Sequence, residues 1–494
     1  MGRDDHGVQR PRERPGGMSA MSMPSGAMAV AMRCAGCGYT APADEPYPFR
    51  CPRGGTDDVD HVMTAAIDPL HVRFPAGDDP NPFVRYSPLS YAHAFARAHG
   101  FSDSDYSALV HELDREVERV DGRGFRVTPL GRSQELSDAA GFGGRGGIFI
   151  KDETGNVSGS HKGRHLMGLL IHLSVVEQVD LAPGGRRELA IASCGNAALA
   201  AGVLAHAAEW PLLVFVPPEA PPSVVARLRA LEANVVVCPR DQAIAGDPTY
   251  HRLQAAVRNG AIPFTCQGSS NGLTIDGGKT LGYEMITELL HTATRLDRVF
   301  IQVGGGALAS AVVQAFQDAV HLGVLPRLPR IHTVQTERVH PLSRAYDRLM
   351  RRLLVHALPS GGRELAAGEE ERANTMLAHA GTPPVAEQLA YAASHRHEFM
   401  WPWEEEPHSI ASGILDDETY DWLAVVRGMV SSGGYPVLVS EELLAEANTL
   451  AARATGIHAD ETGTAGFAGL LALRRRGQVR ADERVAVLFT GMRR

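Results

Sequence analysis

The sequence predicts an α/β protein built on mostly parallel sheets, and three observations predict it. Seven short runs rich in β-branched and aromatic residues read as strands: GIFIK (147–151), ELAIA (188–192), PLLVFV (211–216), NVVVC (234–238), DRVFIQ (297–302), IHTVQ (331–335) and RVAVLF (484–489). Amphipathic or Ala-rich stretches of helical length lie at 196–209, 222–232, 247–259, 279–291, 306–321, 440–455 and 464–475. The strand runs are apolar without alternation, the mark of parallel sheets covered by helices on both faces. No internal repeat is visible. Residues 345–408 break the rhythm with Arg-, Glu- and His-rich text, including WPWEEEP, and read as a long insertion or lid.

At 494 residues the chain is long enough for two or three domains, and 44% hydrophobic with 21% charged residues is an ordinary globular composition. A net charge of −9 without a basic stripe or acidic tail argues against nucleic acid and anionic membrane as partners, which leaves small-molecule chemistry. No apolar run is long enough to cross a bilayer, and the start of the chain holds charges, Pro and Gly in place of an apolar signal core. A cytoplasmic protein is expected. Residues 1–30, with repeated Arg, Gly, Pro and Met, read as a disordered tail.

From 31 to 62, a Cys34-x-x-Cys37-Gly knuckle and then Cys51-Pro52 outline a zinc ribbon. Structural zinc wants four ligands in a closed tetrahedron, and the fourth thiolate expected near Gly54 is missing. His61 is a possible substitute, but the pattern favours a ribbon-shaped remnant, and no metal is expected. With Cys194, Cys238 and Cys266 the cysteines are too few and too scattered for a disulfide framework, and they read as reduced thiols.

Only three lysines, Lys151, Lys162 and Lys279, stand among 48 Lys and Arg residues. A lysine kept where arginine fills nearly every other basic position is a candidate for a task closed to a guanidinium, above all losing a proton and attacking a carbonyl. Lys162 lies in GIFIKDETGNVSGSHKGRHLMGLL, which reads as a strand, a Gly/Ser loop and a helix starting near Ser160. Its amine then sits in a first helical turn, among free N–H groups and at the positive end of the dipole, a place that suits an imine former.

Three further strands end in loops suited to small anions or polar groups. ELAIA runs into Ser193-Cys194-Gly195-Asn196-Ala197, whose freed N–H groups suit a carboxylate. DRVFIQV runs into Gly304-Gly305-Gly306-Ala307-Leu308 and a helix, an arrangement that lets backbone amides close on a phosphate. RVAVLF delivers Thr490-Gly491. Lysine, carboxylate loop, phosphate loop and hydroxyl are expected to converge on one crevice.

This set resembles the fold-type II pyridoxal-phosphate enzymes, the group of threonine synthase, serine/threonine dehydratase and cysteine synthase, from about Cys34 to Gly491. Ser158-Gly159-Ser160-His161-Lys162 is similar to that family's Ser-Phe-Lys segment, Ser193–Ala197 to its Ser-x-Gly-Asn loop, and Gly304–Leu308 to its phosphate loop. The ribbon, the Thr490-Gly491 pair and Asp276-Gly277-Gly278-Lys279-Thr280-Leu281-Gly282-Tyr283-Glu284 resemble the threonine synthase branch. The chain departs from the pattern at His161, where Phe is usual, at Gly163, where threonine synthases have Asp, at Glu461-Thr462-Gly463-Thr464, and in the length of its insertion.

The resemblance implies two doubly wound, mostly parallel α/β/α domains with the cofactor in the cleft between them. The small domain would be 161–275 and the large one 63–160 plus 276–494, with 345–408 as insertion or lid. It implies pyridoxal phosphate held covalently by Lys162, which also moves the substrate's α-proton. Asn196 and Thr490 would meet the ring, and Gly304, Gly305, Gly306, Ala307 and Leu308 the phosphate. Ser193, Cys194, Gly195 and Ala197 would take the substrate carboxylate. A homodimer acting on a small amino acid is implied as well.

A neutral hydroxyl beside the pyridine nitrogen does not hold a proton there as a carboxylate would, so elimination or replacement at Cβ or Cγ is expected ahead of transamination. The leading reading is a threonine synthase-like lyase acting on O-phosphohomoserine, with Lys279, Arg164 and Ser160 as contributors to a second anion site. The alternatives are a serine/threonine dehydratase, which needs no such site, a β-replacement synthase, and a cofactor-binding partner protein without turnover. His161 and His165, four apart on one helix, have the spacing of a zinc pair but no evident third ligand. The glycine pattern 141-GFGGRG-146 precedes its strand and reads as a loop, not a dinucleotide site. Cys194 reads as a small buried filler, Glu284 and Glu461 as structural charges, and the histidines of 395–408 as solvated.

Overall fold

The computed structural model describes residues 28–55, 57–182, 184–239 and 247–494. The tail expected over residues 1–30 lies outside the described residues as far as residue 27, and Val30 already belongs to a strand. β1 (Val30–Cys34) and β2 (Met63–Ile67) pair antiparallel as a ribbon with the cysteine-bearing loops between them. Ten more strands follow: β3 (Leu130–Ser133), β4 (Gly147–Asp152), β5 (Leu189–Ala192), β6 (Leu212–Val216), β7 (Asn234–Val237), β8 (Ile262–Pro263), β9 (Arg298–Gln302), β10 (Arg330–Thr336), β11 (Pro436–Val439) and β12 (Arg484–Phe489).

These form a six-stranded sheet of order β11-β10-β9-β12-β4-β3 and a four-stranded sheet of order β7-β6-β5-β8. Every pairing in them is parallel except that of β3, which joins β4 antiparallel at the edge. All seven expected strands are present. Their apolar runs follow from burial on both faces: all five residues of β9 are buried, and so are Val485 to Phe489 of β12.

The helices are α1 (Pro82–Arg85), α2 (Tyr91–Ala98), α3 (Asp103–Asp121), α4 (Gln134–Ala139), α5 (Lys162–Gln178), α6 (Asn196–Ala207), α7 (Pro222–Ala230), α8 (Pro248–Arg258), α9 (Leu273–His291), α10 (Ala307–His321), α11 (Pro341–His356), α12 (Glu369–His379), α13 (Pro383–Ser394), α14 (Trp422–Ser432), α15 (Glu441–Thr455) and α16 (Glu461–Arg475). Residues 345–408 are largely helical: α11 packs against β11 and against α12, α13 and α14, beside the β11 edge of the larger sheet.

One packing detail explains a motif. α5 crosses α9 so closely that a Cβ on Gly168 would lie 2.5 Å from Gly277 Cα, and one on Gly278 would lie 2.2 Å from the His165 ring. The glycines of Asp276–Glu284 therefore serve helix contact, with α5 seated against α9 over its first two turns.

Candidate active site

Several helices carry side-chain caps, Ser102 for α3, Asp247 for α8, Ser440 for α15 and Asp460 for α16. The three that start at the candidate cleft do not: His161 before α5, Gly195 before α6 and Gly306 before α10 make no side-chain cap bond. No capping side chain competes with an anion for their first-turn N–H groups, although in α5 the Arg164 N–H already donates to the His161 carbonyl at 3.1 Å.

Lys162 opens α5 and is half-buried. The turn before it is tightly set: Ser158 holds φ 54°, and at Gly159, φ 68°, a Cβ would strike Met492 Sδ at 2.3 Å. Only glycine fits there, and the turn is pinned to the end of β12 by the Ser160↔Gly491 bridge and by His161 N–H donating to the Thr490 carbonyl at 3.2 Å. The His161 ring also has Nδ1 3.2 Å from that carbonyl, so its proton sits on Nδ1, and Nε2 is left buried without a partner among the described residues. Burial first, and then the charge of Lys162, hold the His161 pKa well below its usual value, so the ring next to the lysine is neutral.

Thr490 is brought beside this turn, and its hydroxyl accepts from Gln302 Nε2 at 2.6 Å. The same nitrogen lies 3.1 Å from the Gly463 carbonyl and 3.2 Å from that of Leu488, which fixes the amide's orientation. Thr490 Oγ1 is thus held as an acceptor, and its own proton is free for a neighbouring lone pair. Asn196 reaches the same place: a Cβ on Gly491 would lie 2.9 Å from Asn196 Nδ2, and exposed Arg494 donates from Nε to Asn196 Oδ1 at 3.3 Å. Ser193, Cys194 and Ala197 are half-buried and Gly195 exposed at the mouth of this loop. Burial pushes the Cys194 thiol up, away from a reactive thiolate, in keeping with its reading as a filler.

Gln302 ends β9 and leads into the glycine loop, where Gly306 takes φ 97°. The loop is covered by residues 414–421, which sequence reasoning missed. Gly305 N–H donates to Asp416 Oδ2 at 2.7 Å, and Thr419 Oγ1 donates to the Gly304 carbonyl at 2.9 Å. A Cβ on Gly305 would lie 2.9 Å from the Tyr420 ring. Burial pushes the Asp416 carboxyl up, opposed by Lys162 and by the Gly305 N–H, and burial lifts Asp421 beside it to about 7. The one signal in the sequence is the acidic run Asp416-Asp417-Glu418.

Two sequence expectations change, those for Arg164 and Lys279. Arg164 is fully buried, bidentate to both Glu153 and Glu284, and Lys279 is buried between Asp276 Oδ1 at 3.1 Å and Asp318 Oδ2 at 3.3 Å. Burial opposes the Lys279 charge, but Asp318 and Asp276 outweigh it and hold the ammonium above its usual pKa. Neither cation is open to a substrate phosphate; of that trio only Ser160 remains, its hydroxyl buried and without a partner among the described residues. His165 Nδ1 meets the Thr274 carbonyl at 2.8 Å, and burial and Lys162 push its pKa down to about 3. Among the described residues the one cluster of three or more potential metal ligands is elsewhere, at Cys34, Cys37, Cys51 and His61, and does not include His161 or His165. The loop 141–146 makes a turn against β12, with Gly143 N–H on the Ala481 carbonyl. Glu461 pairs with Arg493.

Gly163, where an aspartate was expected, packs against Phe125: a Cβ would lie 3.4 Å from that ring and 3.1 Å from the Val157 carbonyl. The site as a whole fits an aldehyde-bearing pyridine with a phosphate arm. A lone lysine stands at a helix start, a hydroxyl has a proton to give, and a glycine loop already holds a carboxylate oxygen on its amide.

Comparison with known proteins agrees with this geometry. The family described as "Pyridoxal-phosphate dependent enzyme" matches residues 123–491. Threonine synthase of Methanocaldococcus jannaschii is 23% identical over 223 residues, covering 45% of this chain and 43% of that protein. Threonine synthase of Methanosarcina acetivorans is 24% identical over 367 residues, 74% of each chain. L-threonine ammonia-lyase of Thermotoga maritima is 28% identical over 213 residues, 42% of this chain and 46% of that one. Two of these three alignments thus span less than half of the relative's length. In fold, the chain is similar to threonine deaminase isoform 2 of Solanum lycopersicum, with a TM-score of 0.52 at 16% identity over 80% of this chain and 92% of that one.

Proposed function

Because this chain belongs to the family of pyridoxal-phosphate dependent enzymes, we propose that it is a lyase that expels a leaving group from Cβ or Cγ of a free amino acid, with Lys162 as the residue that holds the cofactor and moves the α-proton. Pyridoxal phosphate is its cofactor, and when bound it supplies the electron sink for the bond broken at the substrate's Cα. Gly304 to Leu308 would take its phosphate, Asn196 and Thr490 its ring. Ser193, Cys194, Gly195 and Ala197 would orient the substrate carboxylate on backbone N–H groups. The division into domains 161–275 and 63–160 plus 276–494 belongs to the same proposal, as does a cytoplasmic homodimer without nucleic acid or membrane partners. Among the described residues no helix is long and apolar enough to cross a membrane.

The observation that carries the reaction class is the Gln302–Thr490 contact. A hydroxyl that already accepts from Gln302 Nε2 would be left to donate its own hydrogen bond to the ring nitrogen, which would then stay unprotonated and make the sink shallow. Expelling a leaving group drains the electrons without a deep sink. For the substrate, the closed state of Arg164 and Lys279 favours serine or threonine, which needs no second anion site. The threonine synthase reading keeps one support of its own, exposed Arg494 beside Asn196, as a cation for a distal phosphate. The test is the purified enzyme offered serine, threonine and O-phosphohomoserine. Formation of 2-oxoacid and ammonia from the first two is expected; phosphate release from the third as the faster reaction transfers the assignment to threonine synthase, and inertness toward all three rejects both.

Asp416 gives this reading a pH signature. Its carboxylate occupies the Gly305 amide that the phosphate needs, and two anions there repel. Its carboxyl pKa is raised by burial, so the charged form grows in as pH rises through that value and affinity for pyridoxal phosphate falls with it. Asp416→Asn keeps the acceptor and drops the charge. It is expected to tighten cofactor binding about tenfold, on the order of 1.4 kcal/mol, and to flatten the pH dependence, as read by titration of the apoenzyme.

A further inference from the structure

We propose that Cys34, Cys37, Cys51 and His61 bind one zinc ion in a tetrahedral Cys3His site that locks the N-terminal ribbon onto the catalytic body. The missing fourth thiolate pointed to a metal-free remnant; the fold supplies the fourth donor from β2's approach instead. The four ligand atoms lie within 4.8 Å of one another. Cys37 Sγ and Cys51 Sγ are 3.6 Å apart, and Cys34 Sγ is 3.5 Å from His61 Nδ1. A tetrahedron with zinc–sulfur bonds of about 2.3 Å and a zinc–nitrogen bond of about 2.1 Å has sulfur–sulfur edges of about 3.8 Å and sulfur–nitrogen edges of about 3.6 Å. The observed separations match those edges, and they are far longer than a disulfide bond of about 2.05 Å.

The surroundings are those of a built ligand set. His61 Nε2 donates to Asp57 Oδ2 at 3.1 Å, which puts the ring proton on Nε2 and presents the bare Nδ1 lone pair to the centre of the cluster. Backbone N–H groups of Gly36 and Cys37 point at the Cys34 sulfur, that of Tyr39 at Cys37 and that of Arg53 at Cys51. Gly54 stands where a thiolate was expected, and a Cβ there would lie 3.5 Å from His61 Cβ and 3.6 Å from its Cγ. His61 thus stands directly beside position 54, in the place from which the fourth ligand was expected. Binding exchanges three thiol protons for one divalent cation, leaving a net charge of −1 on the three thiolates, imidazole and metal together.

The ribbon is wedged between two parts of the molecule. Gly272 N–H donates to the Phe49 carbonyl at 2.9 Å and Arg50 Nε to the Ser270 carbonyl at 3.1 Å, just ahead of α9. On the other side Asp60, next to His61, donates its N–H to the Ala393 carbonyl at 2.7 Å and pairs with Arg396. Arg396 also pairs with Glu418, in the segment that carries Asp416 over the glycine loop. Fixing His61 against the three thiolates therefore fixes the anchor of that segment.

The test uses the full chain loaded with pyridoxal phosphate, freed of any affinity tag and desalted. Elemental analysis is expected to give about one zinc per chain, and cobalt replacement the d–d bands of a tetrahedral ion with a sulfur-to-cobalt charge-transfer band. Cys37→Ser and His61→Ala are expected to lose most of the zinc while keeping the cofactor's visible absorbance, which separates this inference from the assignment of the active site. Should those variants fail to fold, titrating the wild-type thiols with a mercurial must release that single zinc into a colorimetric chelator. Folded, cofactor-loaded protein with less than about a tenth of an equivalent of zinc, or cobalt bands unchanged by Cys37→Ser, overturns the proposal.

Discussion

Lys162→Ala is expected to leave a folded protein that holds pyridoxal phosphate only reversibly and turns over on the order of 10³-fold more slowly or worse. Lys162 stands in a first helical turn and among the described residues makes no ion pair, unlike Lys151 and Lys279. Lys151 is fully buried, donating to the Thr128 carbonyl at 2.7 Å and pairing with Glu284, and Lys279 is enclosed by two aspartates. Neither can swing to a carbonyl in the cleft. Mass spectrometry after borohydride reduction is expected to find an adduct on the wild-type peptide containing residue 162, and the alanine variant should lose it together with the visible band. An adduct persisting on Lys151 or Lys279 in the wild type would refute the assignment. Added amines of small size should restore part of the rate in Lys162→Ala by supplying the missing base, which a loss caused by misfolding would not permit.

Much of the site was legible because parallel strands advertise themselves. Their two-sided burial makes unbroken apolar runs, and each run in the site ends in a loop adjacent in sequence: Lys162 after β4, Asn196 after β5, Gly304 after β9, Thr490 after β12. What pairs across long separations was not legible. Asp416 meets Gly305 from 111 residues away, with only an acidic run to announce it. Arg164 and Lys279 looked available for a phosphate because a motif shows a charge and hides its partner; Glu284 lies 120 residues from Arg164, and Asp318 lies 39 from Lys279. β3, LGRS, was missed because an antiparallel edge strand needs no apolar run, and β11, PVLV, because it is short. α3 did carry a signal, the Ser102/Asp105 capping box, before an amphipathic stretch. The Arg-, Glu- and His-rich text of 345–408, read as a long insertion or lid, hides its helical period, although α11, α12 and α13 bury Leu349, Leu353, Met376 and Val385 as ordinary amphipathic helices.

The largest stability effect is expected from Arg164→Met, at about 3–5 kcal/mol of destabilisation. Arg164 stands two residues beyond Lys162, and its guanidinium joins four elements. Nε and Nη2 donate to Glu153 at 2.7 and 3.0 Å, past the end of β4; Nη1 and Nη2 donate to Glu284 of α9 at 2.6 and 2.9 Å. Lys151 of β4 and Thr128, whose N–H donates to Glu284 at 3.0 Å, complete the cluster. Two cations and two carboxylates balance, and all four side chains are at most 1% exposed. Burial opposes the charge on Glu153, yet Arg164 and Lys151 outweigh it and hold the carboxyl below its ordinary pKa. Methionine fills the volume of the arginine stem but leaves two buried carboxylates facing one ammonium, and that uncompensated charge, not the loss of a favourable pair, is the cost. The companion Arg164→Met/Glu153→Gln restores neutrality and should recover more than half of the loss in urea unfolding of the apoenzyme. Because the cluster seats the first turn of α5 against α9, the single variant should also weaken covalent cofactor retention, whereas the neutral double variant should hold it. A change below about 1 kcal/mol in Arg164→Met would mean that water reaches this cluster and that Lys162 is positioned by its own turn alone.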